Sequence, residues 1–140
     1  MGSPDVTDAD SNVLLDIVTA DPQWLDWSRK QFRAAAAEGQ IRINPIIYAE
    51  LAPAFDSQAA LDRWLRPTLF DRLRLPYEAG YRAGQAFVAY RERGGARTSP
   101  LPDFYIGAHA EFAGLTLVTR DAARYRTYFP NLKLIAPDAQ

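Results

Sequence analysis

Four acids stand where a chain of alternating strands and helices gathers its chemistry: Asp10, Glu50, Asp103 and Asp121. Asp10 ends a predicted strand over residues 6–10, and Asp121 lies just past a predicted strand over 115–119. Glu50 falls in the second turn of the helix that follows Ile41–Ile43. Asp103 opens a helix after the turn-rich run Ser99-Pro100-Leu101-Pro102. Carboxylates that share a pocket repel and raise one another's pKa. A hard divalent cation relieves that conflict, because Mg2+ and Mn2+ prefer oxygen ligands and keep several waters. Such a cation eases proton loss from water and neutralises charge building on a phosphate oxygen, which is the chemistry of phosphodiester hydrolysis. A plainer reading stands beside this one. Asp103 and Asp121 also sit where capping and the helix dipole favour an acid. Glu50 resists that explanation, since it follows the apolar run Ile46-Ile47-Tyr48-Ala49.

Other chemistries have less behind them. There is no cysteine, which excludes thiol catalysis, thiolate zinc and disulfides. The single histidine, His109, lies six residues after Asp103, about 240° round the helix, so it faces away from the acid and reads as structural. Asp8-Ala9-Asp10 invites comparison with the Asp-x-Asp opening of haloacid-dehalogenase-type phosphatases. Asn12 stands where Thr or Val is expected, however, and the only lysines, Lys30 and Lys133, are badly placed. A response-regulator receiver needs an Asp after a central strand, where Ile41–Ile43 is followed by Asn44-Pro45. Gly94-Gly95 lacks the Lys-Ser/Thr of a phosphate loop and reads as a helix stop. Arg91, Arg93 and Arg97 cluster before Asp103; they suit either phosphate groups of a polyanion or a solvated helix end. Trp24 and Trp27 share a helix face, suited to the core or to a groove for a partner segment.

The elements that must position these residues can be read from spacing. Ser11 or Asn12 is expected to cap a helix to about Val18, and Asp21-Pro22 to start a second one ending near Gly39. Asn44-Pro45 opens a third, and Ser57 a fourth to about Leu65. Residues 73–75 are a short strand candidate. Pro76 begins a long helix to about Arg93, residues 101–113 return to helix, 121–129 form a short one and 132–135 a last strand. Alternation of this kind predicts one α/β domain over residues 1–140 with a mostly parallel sheet, whose carboxyl edge carries the site. The 48% hydrophobic and 24% charged fractions suit a soluble globular chain. The net charge of −1 gives no global attraction to nucleic acid, so polyanion binding must be local. No apolar run approaches the roughly 20 residues that span a bilayer, and MGSPDVTDAD does not resemble a signal peptide, so the expected compartment is the cytoplasm with no membrane partner.

Four segments, in order, resemble the motifs of PIN-domain ribonucleases, and within them those of the VapC-type toxins of bacterial toxin–antitoxin pairs. They are Asp10-Ser11-Asn12-Val13-Leu14-Leu15-Asp16, Asn44-Pro45-Ile46-Ile47-Tyr48-Ala49-Glu50-Leu51, Asp103-Phe104-Tyr105-Ile106-Gly107-Ala108-His109-Ala110 and Leu117-Val118-Thr119-Arg120-Asp121. The resemblance spans about residues 6 to 136. It implies an α/β/α sandwich and Mg2+ or Mn2+ held by Asp10, Glu50, Asp103 and Asp121, with Asn12 and Thr119 orienting that shell. It also implies an RNA substrate cut to leave a 5′-phosphate and a 3′-hydroxyl, a cognate VapB-like antitoxin, and a homodimer. Rival readings are a PIN-like module that binds RNA or protein without cutting, and an RNA-processing nuclease with no antitoxin. Two departures stand out. Val6-Thr7-Asp8-Ala9 replaces a solid hydrophobic strand, which predicts a frayed or shifted β1. Gly107 replaces the usual alanine, which predicts a small loss of helix stability.

Overall fold

The computed structural model describes residues 7–95 and 101–137. Five short strands make its sheet: β1 (Thr7–Ala9), β2 (Ile41–Ile43), β3 (Phe70–Arg72), β4 (Thr116–Val118) and β5 (Leu134–Ile135). They lie in the order β3-β2-β1-β4-β5, and each neighbouring pair is parallel. Parallel neighbours need crossovers, and helices fill them. α1 (Ser11–Val18) and α2 (Leu25–Glu38) join β1 to β2; α3 (Pro45–Leu51) and α4 (Gln58–Trp64) lead to β3. α5 (Tyr77–Glu92) and α6 (Leu101–Ala113) lead to β4, and α7 (Ala122–Tyr128) to β5. The expected α/β/α sandwich is therefore observed. The chain leaves β1 for β2 on one side and returns to β4 on the other, so the carboxyl ends of β1 and β4 form the switch point where such sheets bind ligands.

Local signals explain most boundaries. Asn44 accepts a hydrogen bond from the Ile47 amide at 3.0 Å, with Pro45 in the first turn of α3. Ser57 accepts one from Ala60 at 3.1 Å to start α4. α1 is capped by neither Ser11 nor Asn12: Asp10 holds the cap, its Oδ1 2.8 Å from the Ser11 amide. Asp21 accepts from the amides of Gln23 and Trp24, both at 2.9 Å, but regular helix begins only at Leu25. The third strand is Phe70–Arg72 rather than residues 73–75. Phe70 is buried between Phe32 and Trp64, with ring centroids 5.8 and 5.4 Å away, and that anchor sets the register Ile41↔Phe70. Among the described residues, no helix is long and apolar enough to cross a membrane.

Over its described residues, Thr7–Ala9, β1 pairs regularly with both neighbours, so no fraying is seen there, and Val6 falls outside the described residues. Asp8 pairs with Arg42 on one side and Leu117 on the other. Its side chain is buried, and neither carboxylate oxygen has a hydrogen-bond partner among the described residues. Burial, followed by the charge of Asp10, pushes its pKa well up.

Gly107 has a role that helix propensity does not convey. A Cβ there would stand 2.8 Å from two ring carbons of Phe129 and 2.9 Å from Tyr125 Cδ1. Both rings are fully buried and have nowhere to retreat. Gly107→Ala is therefore expected to lower stability by about 1–2 kcal/mol, overpacking outweighing a helix-propensity gain of roughly 1 kcal/mol. A urea melt checks this; a variant as stable as wild type would show that the rings can shift.

Candidate functional site

The four acids converge on the switch point from four parts of the chain. Asp10, at the end of β1, is only 3% exposed. Its Oδ2 accepts from the Thr119 hydroxyl at 2.8 Å and from the Tyr125 hydroxyl at 3.0 Å. Thr119 Oγ1 in turn accepts from the Asp121 amide at 3.0 Å, so one hydroxyl ties together the acids that come after β1 and β4. Glu50 reaches in from α3, where its Oε1 accepts from the Ser11 hydroxyl at 2.6 Å. Asp103, in the first turn of α6, pairs with Arg124 at 2.5 Å. Asp121 occupies the cap position of α7 but makes no side-chain capping bond there, so the capping explanation does not account for it.

Electrostatics link the acids into one system. Burial raises the Asp10 pKa to about 6, helped by the charges of Asp103 and Glu50 and opposed by the bonds from Thr119 and Tyr125. Burial, then Asp103, raises Glu50 against the Ser11 bond. Burial raises Asp103 too, with Arg124 opposing and Asp121 adding to it. Desolvation is thus the largest cause, hydrogen bonds oppose it, and mutual repulsion adds a smaller upward push. Burial, with Asp10 and Asp103 nearby, lifts the Tyr125 phenol well above its ordinary pKa, so it remains a donor to Asp10.

The surrounding groups hold these side chains in place. Asn12 Nδ2 lies 3.5 Å from Thr119 Oγ1, and Asn12 Oδ1 accepts from the Arg120 amide at 3.4 Å. The Asn44 side-chain amide donates to His109 Nδ1 at 3.0 Å and so bolts α3, which carries Glu50, to α6, which carries Asp103. His109 is buried, and burial lowers its pKa, as the structural reading of this histidine expects. Arg120 grips the buried Asp16 through two bonds of 2.7 and 3.0 Å and lies 5.2 Å over the Trp24 ring.

The sequence pattern did not reveal three side chains of this pocket: Ser11, Arg124 and Tyr125. The last two are successive residues of a seven-residue helix. The available clue was Arg124's position three residues past Asp121, on the same helix face. Arg91 and Arg93 are exposed at the carboxyl end of α5, over Phe87 at 5.8 Å and Tyr128 at 5.5 Å. Arg97 falls outside the described residues. Trp24 and Trp27 meet edge-to-face at 6.2 Å and are half-buried.

The donor set suits a hard divalent cation. It is all carboxylate and hydroxyl oxygen, it is strained by its own desolvation, and a guanidinium already stands among the acids as a counter-ion. Among the described residues, no three acids form a ready-made cage, so a cation here would need water to complete its shell, as Mg2+ commonly does.

The chain matches the PIN domain family over residues 9–130. No curated protein sequence matches it. Among solved structures, VapBC2 from Rickettsia felis, bound to a DNA fragment from its promoter, superposes with a TM-score of 0.71 at 21% identity, covering 95% of this chain and 99% of that one. DNA-bound VapBC from Salmonella typhimurium gives 0.67 at 20% identity, covering 94% and 97%. A toxin–antitoxin complex from Klebsiella pneumoniae gives 0.64 at 20% identity, covering 96% and 99%. At these identities the likeness speaks for the fold, while the family match runs through the segments that carry all four acids, and the chain belongs to the PIN-domain family.

Proposed function

We propose that this chain is a Mg2+- or Mn2+-dependent endoribonuclease acting in the cytoplasm as the toxin of a VapBC-type toxin–antitoxin pair. One observation supports the reading: Asp10, Asp103 and Asp121 are tied at the switch point, Asp10 to the Asp121 amide through Thr119 and Asp103 to Asp121 through Arg124, with Glu50 held beside Asp10 by Ser11. Asp10, Glu50, Asp103 and Asp121 would hold the cation, which supplies Lewis acidity toward water and the phosphate oxygens. Thr119 and Tyr125 fix Asp10, Ser11 fixes Glu50, and Asn12 braces Thr119 and the backbone at Arg120. Arg91, Arg93 and Arg97 are placed on the RNA phosphates in this reading, and Trp24 and Trp27 on the antitoxin. The fold shared with chains from toxin–antitoxin complexes supports a VapB-like partner. A homodimer is the expected assembly.

Metal binding tests the reading before any RNA is added. Mn2+ at 100 times its Kd should stabilise the fold by about 2.7 kcal/mol, a rise of several degrees in Tm. Asp103→Asn should lose most of that rise. A wild-type melt indifferent to millimolar Mn2+ would count against the site.

A further inference from the structure

We infer, resting on the function proposed above, that Arg124 exchanges partners: it holds Asp103 and Asp121 in the metal-free protein, releases them when Mg2+ or Mn2+ binds, and then takes a phosphate of the RNA. α7 sends two successive side chains to the pocket. Tyr125 goes to its buried end, where it bonds Asp10, and Arg124 goes to its open rim. The Arg124 side chain is 33% exposed, and its ion pairs, 2.5 Å to Asp103 Oδ2 and 3.8 Å to Asp121 Oδ2, are both with acids of the pocket. Two arginines elsewhere on the fold are fastened differently. Arg120 has two bonds to Asp16 and a ring beneath it, and Arg82 has Glu111, the Tyr128 carbonyl and the Phe129 ring. Arg124 thus serves the acids themselves.

A guanidinium and a divalent cation cannot share the same carboxylate oxygens without strong repulsion, so Arg124 and the metal compete for Asp103 and Asp121. Once displaced, the guanidinium, already one-third exposed, is left without its anions beside the acids. A phosphodiester offers two non-bridging oxygens that match its planar fork. The same side chain therefore opposes metal binding and favours RNA binding, and this pair of opposite effects identifies it.

Two equilibrium titrations read both effects, using Mn2+ alone and then a short RNA linked through bridging 3′-methylene phosphonates, which resist cleavage and keep both non-bridging oxygens, at saturating Mn2+. Arg124→Gln should bind Mn2+ about three- to tenfold more tightly, as expected for loss of a partly exposed competing pair. It should bind the RNA roughly tenfold more weakly. Arg124→Lys, which keeps the charge but not the fork, should fall between wild type and Arg124→Gln on both scales, and it carries the test if the glutamine variant does not fold. Unchanged or weaker Mn2+ binding, or unchanged RNA binding, overturns the inference. A parallel Asp103→Asn titration separates the two levels. If that variant loses Mn2+ while Arg124→Gln does not gain it, only the exchange fails. If Asp103→Asn binds Mn2+ like wild type, the metal site fails with it.

Discussion

Asp10→Asn is expected to abolish RNA cleavage, by at least about a thousandfold, while making the metal-free protein more stable at neutral pH. Both effects come from one carboxylate. Asp10 sits at the end of the central strand and receives hydrogen bonds from Ser11, Thr119 and Tyr125, which make it the most firmly held of the four acids. Losing its charge removes an anionic oxygen from any cation placed there, and a loss of about 10³ corresponds to about 4 kcal/mol of transition-state stabilisation. The stability change runs the other way. Its folded pKa is raised to about 6, above the unfolded value near 3.8, so the folded state binds the extra proton between those values. The contribution of Asp10 to stability in EDTA is therefore fully present below about pH 4 and is lost as pH rises toward 6, by roughly 2–3 kcal/mol at most. Asparagine carries no such titration. The variant should be the more stable form at pH 8, and the difference should close toward pH 4. Melts across pH in EDTA, paired with a cleavage assay, check both halves; a variant that is inactive but also less stable at pH 8 would mean that Asp10 acts mainly as a helix cap.

Arg120→Ala should produce the largest loss of stability among the surface-reaching residues, about 2–4 kcal/mol. Asp16 is buried, and in wild type its charge is met by two guanidinium bonds and the Ser28 hydroxyl at 2.6 Å. Truncating the arginine leaves that carboxylate buried with a hydroxyl alone, and breaking such a pair costs more than the pair contributes. The partial exposure of Arg120, 28%, places the expected loss below the full buried-pair range. Tm should fall by roughly 6–12 °C for a chain of this size. Asp16→Leu in the Arg120→Ala background should recover part of the loss by removing the orphaned charge. Mn2+ affinity should drop as well, because the Arg120 amide bonded to Asn12 lies between Thr119 and Asp121. Equal stability of Arg120→Ala and wild type would show the Asp16 pair to be replaceable by water.

Much of this site is legible in the sequence because strand ends and helix starts are local features. Alternating apolar residues and cap residues such as Asn44 and Ser57 place the elements, and a parallel sheet brings the residues just past its strands to one edge. Asp10, Glu50, Asp103 and Asp121 could therefore be named from spacing, and Asn12 and Thr119 from the resemblance. Three kinds of information are not local. The place of β3 is set by Phe70 wedging between Phe32 and Trp64, while Leu73-Arg74-Leu75 merely alternates like a strand. The need for glycine at 107 is set by rings 18 and 22 residues further on, Tyr125 and Phe129, and helix propensity carries no trace of them. The partners of Ser11, Arg124 and Tyr125 depend on which helix faces turn toward the pocket once the crossovers pack. Ser11 looks like a cap in sequence and proves to be the donor to Glu50. Asp8, buried and without a hydrogen-bond partner among the described residues, lies where a hydrophobic residue would be simplest, and no feature of the sequence pattern accounts for it.

Whether these four carboxylates make a metal-dependent ribonuclease is decided by cleavage of a mixed RNA substrate by the purified protein in EDTA, in Mg2+ and in Mn2+, with Asp10→Asn prepared in parallel. No cleavage is expected in EDTA. Adding either metal should start cleavage and leave a 5′-phosphate on the downstream product, and a folded Asp10→Asn should cut in none of these conditions. Cleavage in EDTA, or equal cleavage by wild type and Asp10→Asn in Mn2+, would overturn the metal-dependent mechanism.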